Sequence, residues 1–286
     1  VIKFQLISRR KPGDTQEKYF YEWGIIHVAL MITTPSVMRT FKRYTQHFTV
    51  NGVDGGRLLY PLSDMAWDNF ADHWLERPED NLVPFESDDY MLRMHPHSFG
   101  DSNFVIEYLT ETLRDESPEF QPGGVKLVHV VRSRPGLGGD EFAAAWKDEH
   151  AAALLAAGAT RPGRLVQNVH AEVDKETFKG TLFELAGVGG YAGIEELWFE
   201  DLDALLQFTQ DDGVRAAVLS VDAPVDPAGS FSMVVSERVV YDYTLGAASS
   251  PAPAVLDPAS LEARVDSQKY RGWNEPGWER RAKERA

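Results

Sequence analysis

Two spacings of apolar residues alternate along this chain, and the same succession is run through twice. "VIKFQLIS" (1–8) and "VKLVHVVR" (125–132) are apolar, β-rich stretches that end at Pro/Gly turns, as strands do. After Asp14 and Asp140, both placed to cap a helix, apolar residues return at helical spacing. They are Phe20, Trp23 and Ile26 in the first half and Phe142, Trp146 and Leu154 in the second. Further strands are expected over 41–50 and 67–75, answered by 164–173 and 191–199. Second helices fit 78–94 and 201–219, and closing strands fit 103–112 and 230–241. Each half reads strand, helix, strand, strand, helix, strand, the βαββαβ order of a ferredoxin-like unit. A sheet of that kind carries helices on one face only, so its other face needs a second sheet. The covalent twin supplies it.

The two halves also match residue by residue, at a period near 123. Trp23 and His27 in "FYEWGIIHVAL" answer Trp146 and His150 in "FAAAWKDEHAAAL", with the same W-x-x-x-H spacing. Arg43 and Gln46 answer Arg164 and Gln167; Trp74 and Glu76 answer Trp198 and Glu200. "ISRRKPGD" pairs with "VRSRPGLGGD", and "GDSNFVIEYLTE" with "DPAGSFSMVVSE". Blocks in one order point to duplication. The expected division is a first repeat over 1–115 with the catalytic pocket, a second over 124–241 reduced to scaffold, and a linker and tail over 242–286. Tyr270, Trp273 and Trp278 in the tail suggest that it packs back onto a domain.

Composition narrows the chemistry. With 43% hydrophobic and 26% charged residues, the 286-residue chain has a globular composition. A net charge of −15 argues against a nucleic-acid partner, and no run is apolar enough for a membrane span. The absence of a basic segment, apolar core and small-residue cleavage site at the N-terminus makes a cytoplasmic address the default. No cysteine is present, which removes thiolate metal sites and thiol nucleophiles. No phosphate-binding, dinucleotide or zinc-protease motif occurs. The expectation is chemistry by His, Tyr, Asp, Glu, Arg and Lys, with no cofactor and no metal.

The first helix with W-x-x-x-H, the third strand "IEELWFED" (more degenerate as "FADHWLER") and "VDPAGSFSMVVSE" together resemble the EthD-type members of the dimeric α/β-barrel family, here as two fused repeats over roughly 1–241. The resemblance implies an α+β fold: two ferredoxin-like (βαββαβ) repeats forming an intrachain dimeric α/β barrel, helices outside, pockets between sheet and helices. It also implies cofactor-independent work on aromatic or polyketide-like molecules, as dehydratases, cyclases, decarboxylases or oxygenases. Polyketide cyclases of this superfamily carry a histidine corner after the second helix, which "HPHSFGD" (95–101) resembles at one residue less.

Within this frame, His27 shares a helical face with Trp23, and a structural role satisfied by a carbonyl stands beside an acid/base role. The resemblance implies acid/base work at that position. His73 replaces Leu197 of the second repeat, and an imidazole in a buried strand needs a reason. Tyr44 faces Leu165 in the twin and offers a phenol to a developing oxyanion. Arg43 and Gln46, present in both repeats, read as structural hydrogen-bond partners, although Arg43 or Arg93 could also clamp a substrate carboxylate. His95 and His97 flank a proline and occur only in the first repeat. Acid/base work, a solvated turn and metal ligation are all open to them.

The reading is a cofactor-independent lyase, decarboxylase or dehydratase. His27, His73, His97 and Tyr44 carry general acid/base steps, and Phe20, Trp23, Trp74, Arg43 and Arg93 bind a small aromatic substrate. A cofactor-free monooxygenase or cyclase, and a non-catalytic binder of aromatic metabolites, are the alternatives. A homodimer is optional, since fusion already satisfies the barrel.

Overall fold

The computed structural model describes residues 1–94, 96–120, 124–156, 158–171 and 190–244, with 102–108 described for their backbone alone. His95 and the tail beyond Thr244 lie outside the described residues.

Eight strands close one antiparallel barrel in the order β1-β3-β2-β8-β5-β7-β6-β4. In the first half they are β1 (Ile2–Arg10), β2 (Arg43–Thr49), β3 (Asn69–Leu75) and β4 (Gly100–Glu116). In the second they are β5 (Val125–Val131), β6 (Arg164–His170), β7 (Gly193–Phe199) and β8 (Phe231–Asp242). Each half contributes its strands in the spatial order fourth, first, third, second, and the seams β2–β8 and β4–β6 join the halves. Closure leaves no free sheet edge. All eight expected strands are present, most within two residues of their expected ends; β4 runs several residues further at both.

Strand alternation gives the barrel two different walls. Facing the helices, Phe4, Ala71, Tyr44 and Leu109 join one apolar core with Trp23, Leu30 and Phe85. Leu127, Leu165, Leu197 and Val234 join a second core with Trp146, Leu154 and Phe208. Facing inward, Ile7, Phe70, Val128, Val130, Ile194, Met233 and Val235 fill one end of the barrel. The remainder of the interior is polar, with charged side chains beside Gln5, Thr110 and Asn168. Trp74 lies under the Lys3 ammonium at 4.8 Å and the Arg43 guanidinium at 4.5 Å. Trp198 lies likewise under Lys126 at 4.0 Å and Arg164 at 5.0 Å. The two halves thus match in these interior side chains as well as in strand order.

The first helix of each half departs from the expected α-helix at the same motif. Between α1 (Gln16–Tyr21) and α2 (Val28–Thr33) the segment Glu22–His27 is a π turn. Between α6 (Gly139–Ala145) and α7 (Ala151–Ala156) the segment Trp146–His150 is another. A π turn shifts the hydrogen bonds by one residue and strands a carbonyl. The recurring glutamine answers that need. Gln46 Nε2 donates to the Trp23 carbonyl at 3.0 Å, and Gln167 Nε2 donates to the Trp146 carbonyl at 3.0 Å. The structural reading of Gln46 is what the geometry gives. Arg43 Nη1 lies 3.3 Å from Asp242 across the β2–β8 seam.

Two local expectations are corrected. Thr15, not Asp14, caps α1 by accepting from the Lys18 amide, while Asp14 pairs with the Lys18 ammonium at 2.7 Å. Asp140 sits inside α6, whose cap position is Gly138. The helix expected over 78–94 is three short pieces: a 3-10 turn Pro78–Asn81, α4 (Leu82–Phe85) and α5 (Asp88–Arg93). Pro84 has no amide to donate back to the 3-10 turn, and the extended Ser87 separates α4 from α5. An additional helix, α3 (Pro35–Thr40), follows α2 with proline at its first position. In the second half the second helix is α8 (Leu202–Gln210) followed by α9 (Asp212–Val218).

Candidate active site

The cavity between the first-half sheet and its helices has a volume of about 120 Å3. Three imidazoles line it, from His27 on the π turn, His73 on β3 and His97 in the turn before β4, together with the Tyr44 phenol on β2. Most other lining groups are apolar, among them Phe4, Trp23, Phe41, Phe85 and Phe99. No arginine or lysine is among the described lining residues. The exposed Ser98 marks the mouth.

His73 is held on three sides. Its ring stacks on Tyr44 at 4.6 Å between centroids, with Phe41 at 4.8 Å, and its Nδ1 donates to the Phe4 carbonyl at 3.1 Å. That bond fixes the tautomer and leaves the lone pair on Nε2. Burial pushes its pKa down to about 4, partly opposed by the Phe4 hydrogen bond. His27 is pushed well below its ordinary value, first by burial and then by His97 and His73. Its Nδ1 has no hydrogen-bond partner among the described residues. The His27 and His97 rings lie 5.9 Å apart, nearly parallel, with Phe99 against both.

His97 Nε2 donates to Glu22 Oε2 at 3.1 Å. This carboxylate, at the first position of the π turn, was not read from the sequence; only its place beside Trp23 hinted at it. Arg238 on β8 is a second contribution that sequence reasoning missed. It donates to Gln46 Oε1 and the Gly24 carbonyl, and Gln46 in turn donates to the Tyr44 hydroxyl at 2.8 Å. Burial raises the phenol, so Tyr44 keeps its proton at neutral pH. At the far wall Ser8 Oγ and the Tyr19 hydroxyl both donate to Asn69 Oδ1, at 2.6 and 2.9 Å.

The structure brings His27, His73, His97, Tyr44 and Trp23 to one cavity and leaves four expected binding residues outside it. Trp74 and Arg43 point into the barrel, because alternation puts them on the sheet face opposite His73 and Tyr44. Phe20 packs edge-on to Phe48 at 5.1 Å, outside the lining. Arg93 turns from the cavity to donate to Thr33 Oγ1 at 2.6 Å. No carboxylate clamp is present among the described lining residues.

The second half, expected as scaffold, also buries charge-bearing groups in its core. Where Ala71 stands in the first half, Glu195 is buried among His129 Nδ1 at 2.9 Å, Gln167 Nε2 at 2.9 Å and His150 Nε2 at 3.4 Å. Despite burial, His150 and His129 hold the Glu195 carboxyl well below the usual range.

His73 carries a consequence for stability. Its unfolded-state value is about 6.5 and its folded value about 4. Between these the unfolded chain binds the extra proton, so stability falls as pH drops through that window and is recovered above it. His73→Leu, which installs the residue of the second repeat, is expected to remove a penalty of about 2 kcal/mol at pH 5. Urea unfolding at pH 5 and pH 8 checks this: the variant should gain on wild type at pH 5 relative to pH 8.

A family model, the EthD domain, matches residues 134–224. No curated protein matches the chain in sequence. Among solved structures, an anthrone oxidase-like protein is 16% identical and aligns over 84% of this chain and 92% of its own, with a TM-score of 0.53. A candidate monooxygenase from Lactobacillus acidophilus NCFM is 10% identical over 83% and 94%, with a TM-score of 0.45. A chlorite dismutase variant from Candidatus Nitrospira defluvii is 10% identical over 82% and 91%, with a TM-score of 0.41. Of these, the first bears on the fold, and none bears on the reaction. The resemblance read across both halves is met by the family model in the second, where residues 134–224 match the EthD domain.

Proposed function

We propose that the chain is a cofactor-independent lyase that dehydrates a small, uncharged aromatic or polyketide-like substrate in the first-half cavity. One observation carries this reading: three imidazoles and a phenol converge on an apolar hollow whose lining holds no cation among the described residues. A decarboxylase needs a hold on its substrate's carboxylate, and Arg43 and Arg93 are elsewhere, so dehydration is preferred. The volume, about 120 Å3, is near the roughly 150 Å3 of engineered cavities that take one benzene ring. A single ring fits.

In the proposed sequence His27 takes a proton from the carbon next to a carbonyl, and the electron pair forms an enolate to which Tyr44 donates. His97, oriented by Glu22, gives a proton to the β-hydroxyl; the C–O bond breaks, a C=C bond forms and water departs. The His27 imidazolium then returns its proton to His97 through that water. Low basicity in the empty cavity is consistent with this, because the imidazolium forms only beside the enolate that stabilises it. His73 is assigned to hold the substrate carbonyl region with Tyr44.

The two halves are read as fused ferredoxin-like repeats over 1–115 and 124–241, the first catalytic; a homodimer is compatible with the barrel but not required by it. Turnover of neutral cyclic β-hydroxy ketones, with carboxylated analogues alongside and with oxygen removed, tests the reading. Water loss without oxygen supports it. An oxygen requirement transfers the site to oxygenase chemistry, and no turnover of any analogue leaves the binder reading. Glu22→Gln is expected to lower kcat about tenfold to a hundredfold with KM little changed, since it orients His97 and does not touch the ring site.

A further inference from the structure

The charged part of the barrel interior is a cluster that the proposed reaction does not use. Lys126 Nζ stands 2.6 Å from each of three acceptors: His47 Nε2, Glu196 Oε2 and Glu237 Oε2. The three protons of an ammonium match three acceptors. Asp72 Oδ2, buried and with no hydrogen-bond partner among the described residues, lies 4.0 Å from His47 Nε2. Ligand atoms of His47, Asp72 and Glu196 all fall within 4.8 Å of one another.

Each of these groups is also oriented as a ligand would be, by a partner on its other atom or beside it. His47 Nδ1 donates to the Phe70 carbonyl at 3.1 Å, which leaves Nε2 with its lone pair. Gln5 donates to Asp72 Oδ1 at 2.7 Å. Asn168 donates to Glu196 Oε1 at 2.9 Å, and Lys3 meets the same oxygen at 3.0 Å. Trp198 Nε1 donates to Glu237 Oε2 at 3.2 Å. One imidazole and three carboxylates are the donor types that suit Zn2+ or Mn2+. Zinc at about 2.0–2.2 Å from His47, Asp72 and Glu196 needs their ligand atoms, now within 4.8 Å of one another, to close by about 1 Å, and Glu237 to turn in beside them.

We propose that the barrel interior is a cation centre of His47, Asp72, Glu196 and Glu237 whose native occupant is the chain's own Lys126 ammonium, and that a divalent transition metal takes its place when the ammonium is removed. Lys126 thereby keeps the metal out of the wild-type chain. The centre is independent of the first-half cavity.

Zinc binding by the full chain, measured by equilibrium dialysis with metal analysis, tests this. Lys126→Ala is expected to bind one zinc per chain at least a hundredfold more tightly than wild type, and Lys126→Ala with His47→Ala is expected to lose that gain. Equal affinity of wild type and Lys126→Ala overturns the proposal, as does full retention in the double variant. Should Lys126→Ala not fold alone, refolding with zinc in excess is expected to restore it; an unfolded chain under both conditions also overturns the proposal.

Discussion

His27→Ala is expected to lower kcat for water loss by about 10²- to 10⁴-fold, with a much smaller change in KM. The size follows from what the ring is asked to do. Its Nδ1 has no protein partner among the described residues, and its ring lies 5.9 Å from that of His97 across the hollow. Removing it takes away the proton acceptor and leaves Trp23, Phe99 and the other apolar walls that hold the substrate. A structural histidine would behave in the opposite way, losing stability and keeping turnover per folded molecule. Parallel measurement of unfolding midpoint and kcat separates the two.

Glu195→Ala is expected to destabilise the fold by about 3–5 kcal/mol, the usual cost of removing one partner of a buried charged group. His129 and His150 converge on this carboxylate in the second-half core, and neither ring reaches solvent. Without Glu195, burial disfavours any charge on the two rings and nothing compensates it. The pH dependence has a definite sign. The folded value of Glu195 is depressed, so its stabilisation is present above the unfolded carboxylate value near 4.5 and is lost as pH falls below it. Chemical unfolding at pH 7 and pH 3 should therefore show a large gap between wild type and variant at neutral pH and a smaller one in acid.

Much of the architecture was legible because it rests on short-range periodicity. "VIKFQLIS" and "VKLVHVVR" read as strands because apolar and β-branched residues crowd there, and the match of Trp23, His27 and Gln46 with Trp146, His150 and Gln167 set the halves in register. His73 could be singled out because its twin position is Leu197. The expected binding set parts from the cavity lining where a position depends on which sheet face a side chain takes. Alternation alone separates Trp74 from His73, and the cavity follows His73. The π turns were not legible, since W-x-x-x-H looks the same in an α-helix; only the recurring glutamine carried a trace of the stranded carbonyl. Glu22, Arg238 and Glu195 escaped because each acts through a partner far away in sequence. The lysine at matching places in two apolar strands, Lys3 and Lys126, was a readable sign of a charged barrel interior.

The most direct test of the cavity as the reacting centre needs no knowledge of the natural substrate. Nitrogen-15 resonances of the histidine rings, followed during titration with a neutral phenol, report which imidazoles meet a small aromatic molecule. Saturable shifts are expected at His27, His73 and His97, with His129 and His150 unmoved. Unperturbed first-half rings, or shifts confined to the second half, would contradict the assignment.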